Sequence, residues 1–219
     1  MREGYDRRSV AENTPSTRTR LIAMAVAGAV VVGAVAALGF LRNDSVDTPT
    51  IDRVRAGMEA AGCTLTTARA VPNARDHSDV SSPDAIMPQW NTDPPTSGPH
   101  YGQPAVYGIF TEPLQQARVV HNLEHGAVFV QYGKAVSAVD VGAITRFYGD
   151  HEPGTLVAPY PKLGRTIALG AWVRGEGRGT GILARCHAFD EKAFAAFFDA
   201  FQFRGNEDFP PSAMQPGST

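Results

Sequence analysis

Two histidines and a carboxylate lie within five residues of this chain, in the segment HNLEHG (residues 121–126). If this segment forms a helical turn, His121 and His125 lie one turn apart on the same face, with Glu124 beside them. A histidine pair with this spacing can bind one metal ion, and neutral imidazole suits zinc, copper, nickel or iron. The segment therefore predicts a small polar site whose leading chemistry is metal binding.

A third histidine ends a proline-rich turn, PPTSGPH (residues 94–100). Pro99 fixes the backbone just before His100, and Gly98 permits a tight turn, so the imidazole is expected to be held at a defined angle. Three imidazoles without a thiolate favour copper(II) or zinc. Glu124 either completes the ligand set or orients one imidazole through a hydrogen bond.

Two kinds of catalysis are alternatives to metal binding for these motifs. HNLEH also fits the inverted zinc-protease signature H-x-x-E-H, but that signature needs a long helix, and Gly126 ends this one at once. Ser97 lies near His100 without the strand that precedes a nucleophile elbow, and it is more simply a turn residue. No catalytic residue is predicted, and the expectation leans away from an enzyme.

A purely structural role is the alternative to metal binding. Histidines in proline turns often bond backbone carbonyls, and Glu124 with His121 or His125 could form a buried ion pair. Such a network would pin a long loop to the domain without any ligand. The chain would then be a non-enzymatic interaction or scaffold domain of the cell envelope, with an unidentified envelope protein as its partner.

An uncharged, apolar run extends over 21 residues, from Leu21 to Leu41. At about 1.5 Å per residue it is long enough to cross a bilayer core of roughly 30 Å. Five arginines precede it, which predicts a cytoplasmic N-terminus and an extracytoplasmic C-terminal domain. A cleaved signal peptide ending near Ala36 is the competing interpretation, but the run is longer than a usual signal core.

The expected organisation is therefore that of a single-pass membrane protein. Its segments are a disordered cytoplasmic N-terminus (1–20), a transmembrane helix (21–41), a linker (42–50), an extracytoplasmic domain (51–206) and a disordered tail (207–219). The net charge of −2 gives no electrostatic reason to expect nucleic acid as a partner. Cys63 and Cys186 both fall in the external part, where an even cysteine count suggests one disulfide. Two separate buried thiols are the alternative.

Hydrophobic periodicity predicts an α+β domain with a small mixed sheet, flanking helices and a long proline-rich loop. Seven prolines argue against any regular element in the loop, residues 71–107. Asp190 is a good N-cap for a final helix with a phenylalanine stripe facing the core. The other helices are predicted at 51–61, 119–125 and 136–148, and the strands at 63–70, 127–132, 156–160, 166–173 and 182–189.

Three motifs together resemble the DUF3105 family of uncharacterised proteins. They are NTDPPTSGPHYGQP (91–104), GIF (108–110) and VHNLEHGAVFVQY (120–132), and the resemblance covers roughly residues 60–206. Bacterial members of that family typically carry an N-terminal membrane anchor. The resemblance implies an architecture and marks the motifs, but it implies no known activity.

The resemblance also adds residues that the motifs alone do not mark. Gly62-Cys63 matches a glycine-cysteine pair of the family, and His77 matches a histidine some twenty residues before the proline turn. Ser78 follows His77 where family members usually have valine or isoleucine. The closing RGNE (204–207) matches an RGPE-like family ending, with Asn206 in place of proline. His77 thereby becomes a candidate fourth ligand of the predicted copper or zinc site.

Overall fold

The computed structural model describes residues 45–78 and 90–219. The predicted cytoplasmic segment 1–20 and transmembrane helix 21–41 lie outside the described residues. Within the described ranges, no helix combines the length and the apolar character needed to cross a membrane. The described chain from residue 45 onward forms the α+β domain, and the fold class predicted from the sequence is confirmed.

The described residues form eight strands: β1 (Cys63–Arg69), β2 (His77–Ser78), β3 (His100–Tyr101), β4 (Gly108–Ile109), β5 (Val128–Tyr132), β6 (Thr155–Pro159), β7 (Ile167–Val173) and β8 (Thr180–Cys186). Six of them form a mixed sheet in the order β1-β8-β7-β5-β6-β4. The pairs β1–β8, β8–β7 and β7–β5 are antiparallel, whereas β5–β6 and β6–β4 are parallel. The two short strands β2 and β3 pair separately and in parallel.

Four α-helices accompany the sheet within the described residues. They are α1 (Thr48–Ala60), α2 (Gln116–Glu124), α3 (Ala138–Gly149) and α4 (Glu191–Phe201), with short 3-10 turns at Pro161–Leu163 and Pro211–Ala213. Asp190 caps α4 as predicted, because its side chain accepts a hydrogen bond from the Ala193 backbone N–H at 2.8 Å. All four helical segments predicted from the sequence are present, with ends shifted by a few residues.

The main sheet buries a hydrophobic core on each face. On one face, β-strand side chains pack with α1, α3 and the phenylalanine stripe of α4. On the other face, Phe129 and Trp172 pack with Leu123 of α2 and with Met214 near the C-terminus. The predicted histidine site belongs to this second face, since its motifs lie on α2 and on the loop that precedes it.

The expected disulfide joins Cys63 to Cys186. These residues face each other across the antiparallel pair β1–β8, so the sheet register itself brings the two side chains together. Both side chains are buried in the core that contains the phenylalanine stripe. The disulfide therefore ties an edge strand to the sheet on the face opposite α2.

The predicted absence of regular structure in the loop 71–107 is wrong at two places. Residues 77–78 and 100–101 form the two-residue parallel ladder β2–β3. The His100 N–H donates to the Asp76 carbonyl at 3.1 Å, and the Gly102 N–H donates to the Ser78 carbonyl at 3.3 Å. Neither donor belongs to a proline, so the prolines of the loop leave this ladder intact.

The prediction of a disordered tail at 207–219 is also wrong. Met214 is fully buried, and its carbonyl accepts a hydrogen bond from the Gly154 N–H at 2.8 Å. Tyr107 and Ser218 are joined through their backbones at 2.9 Å. Backbone pairing and one buried side chain order this polar segment, and neither leaves a periodic hydrophobic pattern in the sequence.

Candidate metal centre

Helix α2 carries the HNLEHG motif into the interior of the domain. His121, Glu124 and His125 are each at most 7% exposed, although all three are polar. The helix ends at Glu124, and Gly126 follows with φ of +99°, a backbone conformation that residues other than glycine rarely adopt. The local sequence therefore forms the predicted helical turn, but the turn is buried and does not lie at the surface.

The proline turn is held by the residues that come just before it. The Asn91 side-chain oxygen accepts hydrogen bonds from the backbone N–H groups of Thr96 and Ser97, at 3.3 and 2.9 Å. The Trp90 indole N–H donates to the Pro99 carbonyl at 3.0 Å. These bonds fix the backbone that presents His100, whose side chain is completely buried. The predicted preorganisation of His100 has this physical basis.

The short ladder β2–β3 places His77 beside His100. The two residues are direct partners in the register, and their ring centroids lie 4.7 Å apart. The His77 ring also stacks on His121, with a centroid distance of 4.9 Å and an interplanar angle of 18°. His77 is nearly half exposed, so it forms the solvent side of the cluster.

Backbone carbonyls select the protonated nitrogen of two rings. Nδ1 of His121 lies 2.6 Å from the Tyr101 carbonyl oxygen, and Nδ1 of His100 lies 2.9 Å from that of Gly98. A carbonyl only accepts, so in each neutral ring the proton resides on Nδ1 and the lone pair on Nε2. Burial lowers the pKa of His121, which keeps this ring neutral at pH 7. Metal-bound histidines are commonly oriented in the same way.

Glu124 faces the same space from α2. Its Oε2 lies 3.0 Å from His100 Nε2 and 3.5 Å from His77 Nε2, while Oε1 lies 3.5 Å from Arg75 Nε. Burial would raise the pKa of Glu124, but the neighbouring histidines and the Arg75 guanidinium outweigh it and lower the pKa. Glu124 is therefore an ionised carboxylate in a buried position, which requires cations around it.

The structure brings three of the predicted ligands into one group. His77, His100 and His121 each offer one nitrogen, and these nitrogens lie within 4.8 Å of one another. Tetrahedral zinc with bonds of about 2.0–2.1 Å separates its ligand nitrogens by about 3.3 Å. A closure of up to about 1.5 Å between these nitrogens would produce that geometry. The trio and the adjacent Glu124 carboxylate could hold a metal ion.

His125 occupies a neighbouring position outside this trio. Its Nε2 lies 3.0 Å from His121 Nε2 and 3.2 Å from the Glu207 carboxylate. Its ring stacks on Phe209 at a centroid distance of 4.0 Å. Burial, with His121 beside it, lowers the pKa of His125 to about 4. Four of the predicted site residues therefore cluster around one point, and His125 extends the cluster toward the C-terminal segment.

Two glycines allow the C-terminal segment at residues 203–207 to approach the HNLEHG motif. A Cβ atom on Gly205 would lie 2.3 Å from the Gly126 nitrogen, so the two backbones touch where neither has a side chain. The Phe203 N–H donates to the Gly126 carbonyl at 2.7 Å, and the Glu207 N–H donates to the Glu124 carbonyl at 3.1 Å. This backbone contact positions the Glu207 side chain next to His125.

Sequence reasoning missed Arg75, Glu207 and Phe209 as parts of the site. The segment RGNE (204–207) was noted only as a family-like ending, yet its glycine makes the close contact and its glutamate reaches His125. A glycine two residues before a carboxylate, in a segment that resembles the family's ending, was the available signal. For Arg75, which precedes His77 by two residues, the sequence offered no comparable signal.

Comparison with known protein families supports the resemblance drawn from the motifs. A profile described as "Protein of unknown function (DUF3105)" matches residues 87–215, which is more than half of the 219-residue chain. Searches of curated proteins and of solved structures gave no significant match. The matched range includes the proline turn, the HNLEHG helix and Glu207, but begins after His77 and Cys63. The chain belongs to the DUF3105 family.

Proposed function

We propose that this domain binds a transition metal ion, zinc or copper, through His77, His100 and His121, with Glu124 as a fourth ligand or as their charged neighbour. Three imidazoles and a carboxylate are a donor set that suits both metals. His77 leaves one side of the site accessible to solvent, which gives an ion a route in. The role is binding or handling of the metal, and no catalytic step is assigned.

One observation carries this proposal. His100 Nε2 and Glu124 Oε2 lie 3.0 Å apart in the interior, and neither atom has a further hydrogen-bond partner among the described residues. In the neutral form of His100 the Gly98 carbonyl holds the proton on Nδ1, and Nε2 then presents a lone pair toward the carboxylate. Two buried acceptors in contact are unfavourable unless a cation lies between them or beside them. A bound metal ion satisfies both.

A structural hydrogen-bond network is the competing function, and specific contacts favour it too. His125 could donate a proton from Nε2 to His121 Nε2, and Asn122 bonds the Ala105 backbone at both ends of its amide. In that case the cluster fixes the loop to α2, and the domain is an interaction or scaffold module. In this alternative His100 also carries a proton on Nε2 and donates it to Glu124 as an ion pair. Metal binding is preferred because the nitrogens of three histidines converge within 4.8 Å of one another beside that carboxylate.

The test is a titration of the full chain, kept in mild detergent and freed of any histidine tag. Zinc and copper(II) binding is measured by calorimetry for the wild type and for His77→Gln. The half-exposed position of His77 makes this variant the least disruptive of the trio. Loss of an outer hydrogen-bond partner already costs about 10–100-fold in affinity, so loss of a ligand should cost at least as much.

His187→Gln is the matched control, because His187 is an exposed histidine at the end of β8. It should leave the affinity unchanged. A ligand at 100 times its dissociation constant stabilises the fold by about 2.7 kcal/mol, so a chelator should lower the unfolding midpoint of wild type and of the control. If neither metal binds, or if His77→Gln binds as tightly as the wild type, the metal function is refuted.

We further propose that the domain is held at a membrane by residues 21–41. The support is the length of the uncharged run, the arginines before it and the anchor typical of bacterial family members. Fractionation of cells that express the full chain tests the location. Protein that resists extraction by alkaline carbonate, and an external domain that added protease can reach in spheroplasts, are the expected results. Complete release by carbonate would contradict the anchor.

A further inference from the structure

The trio of histidines does not use all the ligands that the cluster offers. His125 and Glu207 contact each other at 3.2 Å, and His125 contacts His121 at 3.0 Å. The Nε2 atom of His121 therefore lies between two groups of ligands. One nitrogen lone pair binds one ion, so His121 can serve only one of these groups at a time.

The short contacts divide the candidate ligands into two sets with the same kinds of side chain. In the first set, His77 and His100 both lie within 3.5 Å of the Glu124 carboxylate. In the second set, His121, His125 and Glu207 are linked by the contacts just given. Each set consists of two imidazoles and one carboxylate, the combination that binds a metal on one face and leaves other positions open.

Exposure divides in the same way between the two sets. Each contains one ligand that is almost half exposed, His77 at 45% and Glu207 at 43%. The remaining ligands are buried. An ion could therefore reach either set from solvent, and the exposed Glu207 carboxylate can reorient toward His121 Nε2 at little cost.

We propose that the centre takes up two metal ions, the first bound with His77, His100 and Glu124 and the second with His121, His125 and Glu207. This inference rests on the proposed metal-binding function and deepens it. With a single ion bound, the trio of histidines holds it. When a second ion binds, His121 Nε2 coordinates that ion instead, and Glu124 completes the ligand set of the first.

Charge balance gives the two ions different affinities. Two divalent cations bring four positive charges, against which Glu124 and Glu207 supply two negative ones, so the ions repel each other. The His125 ring is also less well oriented for metal binding than His100 and His121, because its buried Nδ1 has no hydrogen-bond partner in the described chain. The second ion is therefore the weaker one, and small oxygen ligands from solvent are expected to complete its coordination.

Stoichiometry tests the inference on the full chain in detergent. Zinc bound per chain is measured by elemental analysis after equilibrium dialysis at increasing zinc concentration, and copper(II) is followed by electron paramagnetic resonance. The wild type should rise from one zinc to two. The copper signal per ion should weaken beyond one equivalent, since two neighbouring copper(II) ions couple magnetically.

Glu207→Gln should stop at one zinc and retain the tight site. The control is Asp208→Asn, which removes an exposed carboxylate in the same segment that pairs with Arg174 at 2.7 Å, and it should still bind two. One zinc in the wild type at saturation, or two in Glu207→Gln, overturns the two-ion inference and leaves the proposed function intact. No zinc and no copper at all would instead refute the proposed function.

Discussion

The packing of the C-terminal segment against the HNLEHG motif requires glycine at position 205, where the backbone touches that of Gly126. A Cβ atom on residue 205 would lie 2.3 Å from the Gly126 nitrogen and 2.4 Å from the Glu124 carbonyl oxygen. Favourable contacts between heavy atoms lie near 3.5–4.0 Å. Because both obstacles are backbone atoms, neither can rotate away, and Gly205→Ala must push the segment out by about 1 Å.

The energetic consequence has two parts. Overpacking of this kind costs about 1–3 kcal/mol. The displacement also strains the hydrogen bonds from Phe203 N–H to Gly126 and from Glu207 N–H to Glu124, each worth about 1 kcal/mol. We expect Gly205→Ala to lower the free energy of unfolding by about 2–4 kcal/mol. The same shift carries Glu207 away from His125, so the second metal equivalent should be lost.

Urea denaturation of the metal-free protein, with elemental zinc analysis in parallel, measures both effects. Gly57→Ala is the matched control, because a Cβ atom there meets nothing within 4 Å and Gly57 lies inside α1. Alanine at a helical position should stabilise by about 0.5–1 kcal/mol. If Gly205→Ala denatures at the same urea concentration as the wild type, the close packing of the segment on the motif is refuted.

Three further predictions concern the surroundings of the site, each measured by urea denaturation. Asn122→Ala should cost about 2–4 kcal/mol, since it leaves the Ala105 N–H and carbonyl without their partner; an unchanged midpoint would contradict this. Replacing Cys63 and Cys186 by serine should cost about 2–5 kcal/mol and leave zinc affinity intact, because the disulfide lies in the opposite core. The metal-free protein should lose stability as the pH falls from 6.5 toward 4. Burial and His121 lower the pKa of His125 to about 4, so only the unfolded chain takes up that proton. This contributes at most about 1.4 kcal/mol per pH unit, and His125→Gln should flatten the slope; an equal slope in the variant would refute the assignment.

Local sequence was sufficient for the parts of the site that lie on one element. The spacing of His121, Glu124 and His125 has the helical period, and the structure places all three on or at the end of α2. His100 was predicted from the stiffness of the proline turn around it. In these cases a few neighbouring residues determine the backbone conformation, so the sequence pattern is enough to predict where the side chains lie.

Residues brought in by non-local pairing left no local pattern in the sequence, and only the family resemblance marked His77 as a candidate ligand. His77 reaches the cluster only through the ladder β2–β3, which joins segments about twenty residues apart and leaves no periodic signal. Glu207 arrives because two glycines more than seventy residues apart can touch. The polar composition of residues 207–219 predicts a disordered tail. Composition indicates how many side chains can be buried, but it carries no information about the backbone hydrogen bonds that order this segment.

The distinction between a ligand cluster and a structural network depends on the second nitrogen of each ring. In a network that serves only to fix the loop, both nitrogens of a buried histidine should find partners of the opposite kind. His100 meets this condition at Nδ1, where the Gly98 carbonyl accepts its proton, whereas its Nε2 lies 3.0 Å from the Glu124 carboxylate, which is an acceptor. A proton or a metal ion can resolve such a contact. The HNLEHG motif supplies the carboxylate and the proline turn supplies the imidazole that faces it. Because two further histidines converge on the same space, the metal is the first candidate to test.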